Sequence, residues 1–130
     1  MPTVADAMRQ EFITVAPEDT LGEVAERMVE EKKGGAVVVM DYGRMIGILT
    51  ERDLLRAFAR ATPRETPVRE CMTPNPETCE ATATLEHATV LMLHGGFRHL
   101  PIVEGERVIG VLSMRDLVAT HVADFAPRGV

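Results

Sequence analysis

Met45-Ile46-Gly47-Ile48-Leu49-Thr50-Glu51-Arg52-Asp53-Leu54 returns 63 residues later as Val108-Ile109-Gly110-Val111-Leu112-Ser113-Met114-Arg115-Asp116-Leu117. Each copy runs five strand-like apolar positions into a hydroxyl residue, with Asp three residues further on. That pattern predicts a buried strand passing into a helix whose first turn carries a Ser/Thr-x-x-acid box. The similarity extends outward. Val4 and Met8 recur as Val68 and Met72, Thr14 as Thr78, Thr20-Leu21 as Thr84-Leu85, Met28 as Met92 and Val39 as Val103, all 64 residues apart. From Arg44 and Arg107 onward the offset is 63, which predicts a one-residue deletion at two Gly-containing turns, Asp41-Tyr42-Gly43-Arg44 and Glu104-Gly105-Glu106-Arg107. A fixed period of this kind marks a duplicated structural unit. The expected divisions are a first repeat over 3–60, a linker over 61–66 bearing Pro63, a second repeat over 67–123 and a tail over 124–130.

Within the first copy, Leu21, Val24, Ala25, Met28 and Val29 recur at helical spacing opposite Glu23, Glu26, Arg27 and Glu30. Thr20 with Glu23 makes a capping box, and Gly34-Gly35 is the expected end. Leu85, Ala88, Met92 and Leu93 repeat the stripe. Ala36–Met40 and Leu100–Val103 are short and mostly β-branched, as strands buried on both faces are. Extended pieces are expected around Ile13-Thr14-Val15 and Glu77-Thr78-Cys79. The last helix of each copy is expected to turn Leu54, Leu55 and Phe58, or Leu117 and Val118, inward. Each repeat therefore reads β-α-β-β-α, an α/β (α+β) unit. At about 57 residues such a unit is marginal alone, so the two are expected to pack about a pseudo-twofold axis.

Composition narrows the function. The chain has 130 residues, 45% of them hydrophobic and 26% charged, with a net charge of −6. An acidic surface repels phosphate backbones, so non-specific nucleic-acid binding is not expected. No apolar run approaches the ~20 residues of a membrane span, and the first residues lack the basic flank and apolar stretch of a secretory leader. Two cysteines make no disulfide framework, which points to the cytoplasm.

The Thr50/Asp53 and Ser113/Asp116 pairs read first as capping boxes. A box does not explain why both copies choose Asp, since the longer Glu or Gln closes it better. A short carboxylate at a helix mouth can also accept hydrogen bonds from a ribose diol, and the same helix terminus attracts phosphate.

With these motifs in place, the chain resembles a tandem pair of cystathionine-β-synthase (CBS) domains, a stand-alone Bateman module, over nearly its whole length. The resemblance rests on the doubled β-α-β-β-α order, His99-Leu100-Pro101-Ile102-Val103-Glu104, the two Ile-Gly strands and the doubled [ST]-x-Arg-Asp-Leu. It implies regulatory binding of AMP, ADP, ATP or S-adenosylmethionine, with no required cofactor and no catalysis, in two clefts between the repeats. One cleft would use Ser113 and Asp116 with Thr14, Val15, Gly35 and Ala36. The other would use Thr50 and Asp53 with Thr78, Cys79, His99 and Leu100. Each Asp would hold the ribose, the hydroxyl would help hold ribose or phosphate, and the extended backbone would line the adenine. Arg98 and His99 would supply positive charge for phosphate. The first copy has Lys33-Gly34-Gly35-Ala36-Val37 there, so the clefts are unequal, and the Asp116 cleft is the expected stronger site. The family also implies a flat, disc-like homodimer formed through helices, to which Phe125-Ala126-Pro127 could add contacts, and a regulated protein partner.

Other readings weigh less. Cys71, Cys79, His87 and His94 are too widely spaced for a structural zinc site. Cys71 aligns with Ala7 and Cys79 with Val15, so both read as packing positions, while His87 and His94 read as exposed. Met28 and Met92 read as core. No activated nucleophile or tuned general base stands out. The alternative to a ligand sensor is a non-catalytic dimeric scaffold with empty or vestigial clefts.

Overall fold

The computed structural model describes residues 2–125. The chain forms two compact units, one built from residues 11–76 and the other from 1–10 together with 77 onward. The 11–76 unit contains β1 (Ile13–Val15), α2 (Leu21–Glu31), β2 (Ala36–Asp41), β3 (Arg44–Thr50), α3 (Glu51–Ala59) and β4 (Thr73–Pro74). The other contains α1 (Val4–Ala7), β5 (Cys79–Glu80), α4 (Leu85–Gly95), β6 (His99–Glu104), β7 (Arg107–Ser113) and α5 (Met114–Phe125). Each unit is a mixed α/β layer. In the first the sheet order is β1-β2-β3-β4, with β1 parallel to β2 and the other pairs antiparallel. In the second it is β5-β6-β7, again parallel then antiparallel. The β-α-β-β-α order is thus present in both.

Each unit closes its own core. Ile13, Val24, Val37, Val39, Leu49 and Val68 meet in one, and Val4, Met92, Leu100, Ile102, Leu112 and Leu117 in the other. Burying one such aliphatic side chain contributes about 1.5–3 kcal/mol. Val4 and Val68 are equivalent in sequence, yet each packs on the unit built mostly from the other repeat. The Met8–Arg9 segment reaches β7 in the same way that Met72–Thr73 reaches β3: Arg9 bridges Val111, and Thr73 pairs with Ile48. The Ile-Gly motif follows from this crossing. A Cβ on Gly47 would stand 2.9 Å from the Thr73 carbonyl oxygen, and one on Gly110 2.9 Å from that of Arg9. Only glycine lets the crossing segment approach so closely.

The strand registers relocate the deletion. Val39 pairs with Gly47 and Ile102 with Gly110, while Ala36 pairs with Thr50 and His99 with Ser113. Equivalent residues are therefore already 63 apart at the start of β2, and Gly35 corresponds to Arg98. The lost residue lies in the loop from helix to strand, not at the hairpins. Both hairpin loops have two residues. Tyr42 and Gly43 both take positive φ, as a type I′ turn requires, whereas in Gly105-Glu106 only the glycine does.

Several helix details differ from expectation. α2 ends at Glu31, with Lys32 rather than a glycine in the left-handed C-cap, the place Gly96 takes after α4. Leu55 and Phe58 are 67% and 84% exposed, Val118 is 53% exposed, and Val29 and Leu93 also face outward. The reason is helical phase. α3 buries Asp53 and Ala57; Leu55, two residues past Asp53, and Phe58, one past Ala57, are rotated about 200° and 100° from them. Leu117 and Met92 are buried as expected, and Met28 packs partly buried against its core. Ala36–Val39 and Leu100–Val103 are buried along their whole lengths. Ala126 and Pro127 of the expected contact tail lie outside the described residues, and no helix among those described is long and apolar enough to cross a membrane.

Candidate functional site

β3 delivers Thr50 to the N-terminus of α3, where hydroxyl and carboxylate close a reciprocal box. Thr50 Oγ1 accepts from the Asp53 amide at 3.3 Å, while Asp53 Oδ2 accepts from the Thr50 amide at 2.9 Å and from its hydroxyl at 3.1 Å. Asp53 is 8% exposed. Its second oxygen, Oδ1, faces Arg56 Nη1 at 3.8 Å, one helical turn along. Gly35 and Ala36 border this mouth, because Ala36 pairs with Thr50 and the Gly35 carbonyl accepts from the Glu51 amide at 2.9 Å. The Glu51 carboxyl group fills the space where a side chain at Gly35 would stand.

β7 and α5 rebuild the arrangement with different surroundings. Asp116 Oδ2 accepts from the Ser113 amide at 3.0 Å, and Ser113 Oγ accepts from the Asp116 amide at 3.0 Å. Oδ1 accepts from Arg9 Nε at 3.3 Å. His99 pairs with Ser113, and the Arg98 carbonyl accepts from the Met114 amide at 2.8 Å. The mouth of α5 thus carries Arg9, Arg98 and His99 where that of α3 carries Thr73, Gly35 and Ala36. Neither carboxylate points into bulk water. Each has one oxygen committed to the box and the other facing an arginine, and a carboxylate offers about four lone-pair sites. Both can accept further hydrogen bonds.

The CBS domain family model matches this chain twice, over residues 4–60 and 68–121. The chain belongs to the CBS domain family. The CBS domain-containing protein YhcV of Bacillus subtilis is 33% identical over 125 residues, covering 95% of this chain and 89% of its own. Of two other curated relatives the chain spans only 63% and 61%. Among solved structures, the CBS-domain containing protein ATU1752 from Agrobacterium tumefaciens is 35% identical with a TM-score of 0.83, covering 91% of this chain and 95% of that one. CBSX2 in complex with AMP is 28% identical with a TM-score of 0.82, covering 96% and 98%.

The CBS units divide the predicted residues cleanly. Thr14, Val15, Gly35, Ala36, Thr50 and Asp53 stand in the 11–76 unit, and Thr78, Cys79, Arg98, His99, Leu100, Ser113 and Asp116 in the other. Within each unit the strand start lies beside that unit's own hydroxyl-Asp pair. Val15, Ala36, Cys79 and Leu100 are buried, so these four offer backbone rather than side chain. The Thr14 carbonyl accepts from Arg27 Nη1 at 3.0 Å. Sequence reading missed Arg9, Arg27, Arg56 and Glu51. Arg56 was legible, since three residues along a helix from Asp53 is contact spacing. Arg9 was not, being 107 residues from Asp116. Cys71 and Cys79 are free thiols. Burial, then the Glu80 carboxylate, pushes the Cys79 thiol up; burial, then Glu70 and Asp53, does the same at Cys71. Raised thiols are poor nucleophiles. Among the described residues no three His, Cys, Asp or Glu side chains gather as a metal site would need.

Proposed function

We propose that this protein is a non-catalytic regulatory module that binds an adenosyl ligand, such as AMP, ADP, ATP or S-adenosylmethionine, and passes its occupancy to a protein partner. The carrying observation is the pair of largely buried aspartates, each held by one oxygen in a capping box and retaining acceptor capacity on the other. A ribose diol needs that capacity. The AMP complex of CBSX2, a relative along nearly its whole length, supports the choice of nucleotide. In this reading Ser113 and Asp116 work with Thr14, Val15, Gly35 and Ala36, and Thr50 and Asp53 with Thr78, Cys79, His99 and Leu100. Arg98 and His99 supply charge for phosphate. Ligand binding favours one arrangement of the units and shifts the population that a partner recognises.

The working form in this reading is a cytoplasmic homodimer. Val29 and Leu93 occupy equivalent helix positions 64 apart, Leu55 and Val118 equivalent positions 63 apart, and all four are more than half exposed. Matched apolar positions on both units favour burial against a second copy. Isothermal titration and thermal melting with AMP, ADP, ATP and S-adenosylmethionine test the ligand assignment. A ligand at 100 times its dissociation constant stabilises by about 2.7 kcal/mol. The shift should disappear in an Asp53→Asn/Asp116→Asn double variant that keeps the native circular dichroism spectrum. No shift with any of the four in the parent protein would leave only the dimeric scaffold with empty clefts.

A further inference from the structure

Arg9 stands where the two units differ most at their carboxylates. Its backbone is fixed to β7 by two hydrogen bonds, amide to the Val111 carbonyl at 2.9 Å and carbonyl from the Val111 amide at 3.0 Å. Its side chain is 41% exposed and reaches Asp116 Oδ1 at 3.3 Å. The backbone is anchored, and the partly exposed guanidinium rests on the carboxylate. In the other unit the same place beside β3 is taken by Thr73, opposite Ile48, which carries no charge. Asp53 Oδ1 faces the more distant Arg56, at 3.8 Å.

We infer that Arg9 makes the Asp116 site selective for anionic adenosyl ligands, an inference that rests on the adenosyl-binding reading of that site. Asp116 Oδ2 is held in the box, so Oδ1 is the oxygen more open to a ribose diol, and Arg9 takes part of its acceptor capacity. A neutral nucleoside competes with the guanidinium there and gives it nothing in return. A nucleotide carries a phosphate one sugar ring away from its diol, and that phosphate offers the released guanidinium a charge-assisted partner. The same side chain thereby opposes the uncharged ligand and favours the charged one. At Asp53 the arginine facing the free oxygen, Arg56, stands farther off at 3.8 Å and comes from the same helix, so discrimination there should be weaker.

Titration calorimetry with adenosine and with AMP, in an Asp53→Asn background so that Asp116 alone is read, tests this. Replacing Arg9 by Ala should tighten adenosine, weaken AMP, and lower the AMP-to-adenosine affinity ratio by about tenfold, the factor of one charge-assisted hydrogen bond. Arg9→Lys should restore most of the ratio. An unchanged ratio, or equal weakening of both ligands in Arg9→Ala, overturns the inference and leaves the adenosyl reading standing. If the protein with Arg9 and Asp116 intact binds neither compound, both fall together.

Discussion

At Asp53 and Asp116 the capping role of the side chain is measurable apart from its proposed ligand role. Asp53→Ala removes the acceptor for the Thr50 amide and hydroxyl, and should cost about 1–3 kcal/mol in urea unfolding. Asp53→Asn keeps an acceptor oxygen and should cost less than half as much. Equal losses would mean that charge, rather than the box, holds this turn. The buried thiol gives a second test. Because the folded Cys79 thiol titrates above its unfolded counterpart, its contribution is intact below the unfolded value, near 8.5. It is lost as pH rises from there through the folded value, since the unfolded chain releases its proton first. Melting temperature should therefore decline as pH rises above about 8.5, less steeply in Cys79→Ala. Parallel curves would place the decline elsewhere.

Secondary elements show where local chemistry and packing disagree. The Lys32 C-cap has φ 53°, a conformation costly for a residue with a Cβ. Lys32→Gly copies the second repeat and should stabilise by about 0.5–1 kcal/mol, read as a higher urea midpoint. Gly110→Ala should instead destabilise by about 1–3 kcal/mol, because the Arg9 carbonyl and Met8 sulfur already fill the space. Nothing local to Ile-Gly-Val-Leu distinguishes that glycine from an ordinary strand weakness. Its need becomes apparent only with a segment about 100 residues earlier in the chain laid across it. The same limit governed the inward faces. The 3.6-residue period located the helices, but Leu55 and Phe58 satisfy it as well as Leu54 and Ala57 do, and only sheet contact selects between the two stripes.

For the molecule as a whole, those outward stripes are the feature with the largest consequence. Leu55 and Phe58, one helical turn apart on α3, are 67% and 84% exposed, an apolar pair that a second copy could cover. Leu55→Glu/Phe58→Glu should convert a dimer to a monomer in sedimentation velocity without loss of helix content. A parent protein that sediments as a monomer would remove the homodimer from the proposed function.

Duplication was legible because the sequence can be compared with itself, and the β-α-β-β-α order, the capping boxes and the placement of Asp53 and Asp116 at helix mouths because each depends on residues within a few positions of one another. Tertiary structure decided the rest. It carried Val4 and Met8 to the unit of the second repeat, set Arg9 against Asp116, moved the deletion into the helix-to-strand loop and turned Leu55 outward. Those outcomes depend on contacts between distant segments, whose free energy comes from burial and register that no local pattern encodes.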